Sequence, residues 1–362
     1  MKKFLALALA MCMVFALCAC GQQAAAPAAA PAAEAAPAAE AAAPAVEAAG
    51  QTYAIITKSA GNPYNEREAS GFEEVIKDAG YDCIVKHPAE ITAEAQIQLI
   101  NELTAQGVQG IAIAGNDIDA LETACKAAMD AGIKVISLDS SVNPNSRLTH
   151  INQAGVTQVA QALCDATLDL TGGEGDWAIL SATSTASNQN AWIEAMKELL
   201  AADAKYEKLN LVEVAYGDDE YQKSIDETKA LLTNYPDLKL ICAPTTVGIA
   251  AASKVISDDG LTGKVIVTGL GLPSEMAEFM EGEDVACPYM FLWNPIDVGR
   301  VAGYALIEMV NGSLTGALGE TFTAANGTTY EVTEAGDGGT EIIIGPPFEF
   351  NGDNIADWKT VY

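Results

Sequence analysis

From Thr52 onward, short β-branched runs alternate with amphipathic stretches of helical length. This alternation constrains the fold of the 362-residue chain more than any other feature. Strand candidates fall at 53–57, 83–85, 110–114 and 134–137, then at 177–180, 211–214, 239–242 and 265–267. Amphipathic helices are read between them at 93–106, 121–131, 191–202 and 221–234. Near-continuous apolar strands separated by helices argue for parallel sheets covered on both faces. Two such sets argue for an α/β protein of two Rossmann-like lobes. Residues 148–153 close the first set, and a helix at 156–169 opens the second. Beyond the second set come one more apolar strand, 285–293, and a helix, 295–310. The chain is therefore expected to cross back, making a multi-strand hinge with a cleft between the lobes. The expected division is 51–153 with about 285–312 in the first lobe, and about 154–284 with 313–362 in the second.

The residues ahead of this pattern bear on location. Met1-Lys2-Lys3 is a short positive start, and 4–16 is an apolar run of signal-peptide length. Leu17-Cys18-Ala19-Cys20 resembles the bacterial lipobox. That resemblance implies a leader spanning 1–20, cut before Cys20, with lipid attached to Cys20. Residues 21–50 are almost only Ala, Pro and Glu, a composition that cannot pack a core and stays extended as a tether. The expectation is an exported chain, anchored to the membrane by lipid and working outside the cytoplasm.

Formal net charge is -30, and setting aside Lys2, Lys3, Glu34, Glu40 and Glu47 leaves -29 on the remainder. Such a surface repels nucleic acid and anionic lipid, and suits a neutral or cationic small molecule. Cys83, Cys125, Cys164, Cys242 and Cys287 are widely spaced, with no CxxC, and read as buried small apolar residues. His87 and His150 are the only histidines. A histidine metal site or a Ser-His-Asp triad is nearly starved of parts. No GxSxG, HExxH or GxxxxGK[ST] occurs, and Ser274 stands where a dinucleotide fingerprint would have its third glycine. No catalytic residue, metal or cofactor is expected. Asp218, Asp219 and Glu220 read as a helix start.

In parallel α/β lobes, ligands meet the carboxyl ends of the strands. Read in order, those ends offer Lys58 with Asn62 and Tyr64, then Asn116, then Asp139. The second set offers Asn188 and Gln189, then Pro244, Thr245 and Thr246, and the last strand ends at Trp293 and Asn294. Asp accepts from hydroxyls, Lys donates, and Asn or Gln does both, while an aromatic face covers the C–H side of a sugar ring. This is an inventory for a polyol. Asp139 and Asn116 could instead cap the following helices. Lys58 could be a solvated loop lysine, and Tyr64 and Trp293 could be plain core.

Several stretches together resemble the type I periplasmic sugar-binding proteins of ABC importers, in the rhamnose-binding and autoinducer-2-binding subgroup. They are Thr57-Lys58 with Gly61-Asn-Pro-Tyr64, Leu138-Asp-Ser140, His150-Ile-Asn-Gln153, Asn188-Gln-Asn-Ala-Trp192, Ala243-Pro-Thr-Thr-Val-Gly248, Thr268-Gly-Leu-Gly271, Leu292-Trp-Asn-Pro295 and Gly345-Pro-Pro-Phe-Glu-Phe350. Autoinducer-2 receptors hold their ligand with a Lys, two Asp, a Gln, a Pro carbonyl and an Ala. Lys58, Asp139, Gln189 and Pro244 match that set, whereas Asn188 replaces the second Asp and Thr246 the Ala. The motifs look more like the rhamnose branch. The resemblance implies a monomeric receptor that closes on one monosaccharide and hands it to a membrane permease. An autoinducer-2 receptor is the alternative and an exported enzyme a distant third. A sugar-responsive repressor is excluded by the lipobox and by the lack of a DNA-binding leader.

Overall fold

The structure, a computed structural model, describes residues 50–362. The leader, Cys20 and nearly all of the tether lie outside the described residues. The first lobe opens with β1 (Thr52–Ile56), α1 (Pro63–Asp78), β2 (Asp82–Lys86), α2 (Ala93–Gln106), β3 (Gly110–Ile113), α3 (Glu122–Asp130), β4 (Lys134–Leu138) and β5 (His150–Asn152). The second comprises α4 (Val156–Leu170), β6 (Gly175–Ser181), α5 (Ser187–Ala202), β7 (Leu209–Tyr216), α6 (Tyr221–Asn234), β8 (Leu240–Ala243), α7 (Thr246–Asp258), β9 (Ile266–Gly269) and α8 (Pro273–Met276). Then follow β10 (Tyr289–Leu292), α9 (Pro295–Asn311), β11 (Thr321–Thr323), β12 (Thr329–Glu331), β13 (Thr333–Glu334), β14 (Thr340–Ile343), β15 (Phe348–Asn351) and α10 (Ile355–Trp358).

The first sheet runs β13-β14-β5-β4-β3-β1-β2, parallel except where β13 meets β14. The second runs β7-β6-β8-β9 and is parallel throughout. Side chains alternate across each strand with period two. On β1, Tyr53 and Ile55 enter the large core shared with Phe72 and Ile76 of α1, while Ala54 and Ile56 enter the core beneath α2 and α3. Burial of both strand faces is why these runs carry no polar alternation.

Helix α9 packs on α1 at backbone distance, and glycine permits it. A Cβ on Gly299 would stand 1.9 Å from the Glu68 carbonyl oxygen, and one on Gly71 would stand 2.0 Å from that of Ile296. This contact brings residues 295–311 back to the first lobe. The chain passes between the sheets three times: between β5 and α4, between β10 and α9, and between β14 and β15.

The expected division needs correction after residue 284. Strand β10 pairs antiparallel with β15 and bridges to Leu270 beside β9, so it sits with the second lobe. Residues 313–362 do not all belong there either. Strand β14 extends the first sheet, with Ile342 opposite Ile151. Ile342 is fully buried, and a short strand that completes a sheet edge gains both ladder hydrogen bonds and a buried face. Among the described residues, no helix is long and apolar enough to cross a membrane.

Candidate functional site

The carboxyl ends of both sheets face one cavity of about 40 Å³. Lys58, Asn62, Tyr64 and Asp139 line it from the first lobe, and Asn188, Gln189, Pro244, Thr245 and Thr246 from the second. Trp293, on the second crossing, completes it, with Trp192, Asp219 and Leu270 beside it. Ten of the twelve residues picked at strand ends are thus brought together.

Asp139 is the centre of the first-lobe wall. Its φ is +54°, a left-handed conformation rare outside glycine, and backbone strain of this kind concentrates at functional sites. It caps no helix, because the next helical turn is capped by Asn143. Lys58 Nζ lies 3.2 Å from its Oδ2, both side chains being buried. Tyr64, Gln153 and Ser140 each donate to its carboxylate at 3.2 Å. Gln153 stands on the first crossing. Trp293, on the second, donates its indole N–H to the Tyr64 hydroxyl at 2.7 Å. Burial, and then the Asp139 charge, push the Tyr64 hydroxyl well above its ordinary value, so it stays a donor.

The second-lobe wall is built on helix starts. Helix α5 begins at Ser187, four residues earlier than the sequence pattern suggests, which puts Asn188 and Gln189 in its first turn. Asn188 Oδ1 accepts from Lys58 Nζ at 3.4 Å, and its amide donates to both Asp139 oxygens at 3.4 Å. Gln189 Oε1 accepts from Ser181 Oγ at 2.7 Å and from the Ala182 N–H at 2.8 Å. Pro244 and Thr245 follow β8, and Thr246 opens α7. The lobes also meet where Thr185 donates to the Asn116 carbonyl at 2.9 Å and Ser187 to that of Ser141 at 3.2 Å.

Two expected site residues do other work. Asn294 caps α9, accepting from the Ile296 N–H at 3.0 Å, and does not line the cavity. A proline at the first helical position leaves a free N–H just behind it, and an Asn at the cap satisfies that donor. Asn116 supports Lys58 from behind, donating to its carbonyl at 2.9 Å. Asn62 does both, capping α1 through the Tyr64 N–H at 2.9 Å while lining the cavity.

Asp219 corrects the reading of the acidic run. Only Glu220 occupies the cap position of α6, whereas Asp218 and Asp219 take φ of +55° and +56°. That bend turns Asp219 into the cleft, where it accepts from the Thr245 hydroxyl. Burial raises its carboxyl above the ordinary range and Lys58 opposes the rise. Two consecutive non-glycine left-handed residues are the one feature that marks it, and sequence does not display backbone angles.

The arrangement can hydrogen-bond a small neutral polyol from both sides and pack an aromatic face against it. A nucleophile–base pair is not assembled here. His150 lies in β5 with Nδ1 2.9 Å from Ser137 Oγ, and His87 Nδ1 is 2.7 Å from Thr57 Oγ1. Among the described residues no group of three His, Cys, Asp or Glu is placed to hold a metal ion.

Residues 53–314 match the family described as periplasmic binding protein domain. An ABC transporter solute-binding protein from Clostridium phytofermentas with bound L-rhamnose is 57% identical, with a TM-score of 0.85 over 87% of this chain and 100% of that one. LsrB from Clostridium saccharobutylicum in complex with AI-2 is 22% identical, with a TM-score of 0.78 over 85% of this chain and 99% of that one, and shares the fold. The D-allose-binding periplasmic protein of Escherichia coli is 26% identical over 278 residues, 72% of this chain and 85% of that protein. The cleft has binding groups and no catalytic pair, and the chain belongs to the periplasmic binding protein family as an extracytoplasmic sugar-binding component of an ABC transporter, with a membrane permease as its partner.

Proposed function

We propose that this chain is the receptor for L-rhamnose, or a close 6-deoxyhexose, and that it binds the sugar between the lobes through Lys58, Tyr64, Asp139, Asn188, Gln189, Pro244, Thr245, Thr246 and Trp293. The observation that carries this reading is the 57% identity to a protein holding L-rhamnose. The cavity chemistry supports it. Asn188 accepts and donates, which suits a ring presenting mixed partners, where a second carboxylate would only accept. Tyr64 and Trp293 offer apolar surface to a C6 methyl, whose burial is worth about 0.8 kcal/mol.

Sugar bridging both walls stabilises the closed form over the open one, because only then are both sets of polar groups satisfied. The permease then reads the closed form, and no bond is broken. We further propose that the working protein is a monomer held to the membrane through lipid on Cys20, with residues 21–50 as the tether. The lipobox-like sequence supports that anchor.

The deciding experiment is competition calorimetry with L-rhamnose and autoinducer-2, on the wild type and on Asn188→Asp with Thr246→Ala. Rhamnose should bind the wild type more tightly, and the double change should narrow the gap. Tight autoinducer-2 binding with no response to rhamnose would overturn the assignment in favour of a signal receptor.

A further inference from the structure

The most anomalous group near the cleft is one that does not line it. Glu68 is fully buried in α1, and neither carboxyl oxygen has a hydrogen-bond partner among the described residues. An unpartnered buried carboxyl costs stability, so its retention needs a reason. Its position supplies one. Glu68 lies one helical turn after Tyr64, on the same face of α1, and Tyr64 donates to Asp139. The backbone carbonyl of Glu68 lies under the close approach of Gly299, which sets this turn of α1 directly against α9.

We propose that Glu68 is a positioning residue for the sugar site: kept as a neutral carboxyl behind Tyr64, it leaves Lys58 and Tyr64 engaged with Asp139, and its ionisation sets a second anion against Asp139 and weakens sugar binding. This rests on the reading of the cleft as a sugar site and makes binding proton-linked. The charges around Glu68 fit. Asp139, at the end of β4, opposes its ionisation, and Lys58, at the end of β1, favours it, while burial outweighs both and raises the carboxyl well above its ordinary range. On α9, Asp297 and Arg300 are engaged with each other at 3.0 Å, and Arg300 with Glu74 at 2.8 Å. Lys58 therefore balances Asp139, with half-buried Asp219 already drawing on it from the second lobe.

The test is L-rhamnose binding by the full chain and by Glu68→Gln, measured calorimetrically from pH 5.5 to 9.5. Wild-type affinity should fall as pH rises, by at most about tenfold per pH unit for one linked proton. On the falling limb, binding should take up a proton, read as a dependence of the heat on the ionisation enthalpy of the buffer. Glu68→Gln should lose that fall and that uptake. The rest of the cleft is the same in both proteins, so the difference between the profiles reads Glu68. Parallel profiles would overturn the proposal. Should the variant fail to fold, absence of proton uptake in the wild type across the range overturns it equally. A wild type that ignores rhamnose at every pH overturns the sugar assignment itself, a distinguishable result.

Discussion

Trp293 donates its indole N–H to the Tyr64 hydroxyl at 2.7 Å, tying the second crossing between the lobes to the wall of the cleft. Tyr64 passes the link to Asp139, and Gln153 reaches the same carboxylate oxygen from the first crossing, at 3.2 Å in each case. Two hinge segments thus converge on one acceptor. Trp293→Phe keeps the ring and removes the donor. It should weaken rhamnose binding by about 0.5–1.5 kcal/mol, the net value of one hydrogen bond. Calorimetry on the two proteins checks it, and an unchanged affinity would make Trp293 a packing residue only.

Asp139→Asn should weaken the sugar complex by about 2–3 kcal/mol, because a charge-assisted acceptor is lost. Asn is the informative change, since Ala would strand the buried Lys58 ammonium and confuse binding with folding. Affinity and melting temperature should be measured together. Near-native affinity would remove Asp139 from the ligand contacts.

Gly299→Ala should destabilise the protein by about 1–3 kcal/mol, at the upper end because the added methyl meets backbone and not a movable side chain. Denaturant unfolding reads the change. A loss below about 1 kcal/mol, the lower edge of that range, would mean that α1 and α9 separate at little cost.

Cys20→Ser should release the protein from membranes into the soluble fraction while leaving sugar binding intact, because the cleft is built from residues 58 to 293. Fractionation of cells expressing each form decides it. A variant that still sediments with membranes would show that lipid on Cys20 is not the anchor.

What could be read from sequence was local. Helices α2 and α6 match their expected bounds because amphipathic spacing carries them, and α2 has Thr92 and a left-handed Gly107 at its ends. The ends of the continuous apolar strands were legible because a run buried on both faces stops where polar residues begin, and with them Lys58, Asp139 and Pro244. Strand β14 was not. It has four residues, and its partner β5 lies far back in the chain, so no nearby pattern announces the pairing. Asn294 and Asn62 look alike before a proline, yet one only caps and the other also faces the cavity. The difference is where each helix start lies relative to the cleft, which composition does not encode.

The last prediction concerns His150, in the strand that precedes the first crossing. It is buried, and burial, followed by the charge of Arg147, pushes its imidazole down to about 3. Arg147 is itself held by Asp337 at 2.8 Å. Above the unfolded value of about 6.5, His150 is neutral in both states and adds no pH dependence. Below that, the unfolded chain takes up a proton that the folded chain refuses, so stability falls with pH, by a slope approaching about 1.4 kcal/mol per unit. The window runs from 6.5 toward 3, but below about 5 carboxylates titrate as well. The clean range is therefore pH 6.5 to 5. Denaturant unfolding of the wild type and of His150→Gln across that range should give a steeper decline for the wild type. Parallel curves would mean that His150 gains its proton without opening the fold, and that the strand leading into the hinge is more accessible to water than its burial implies.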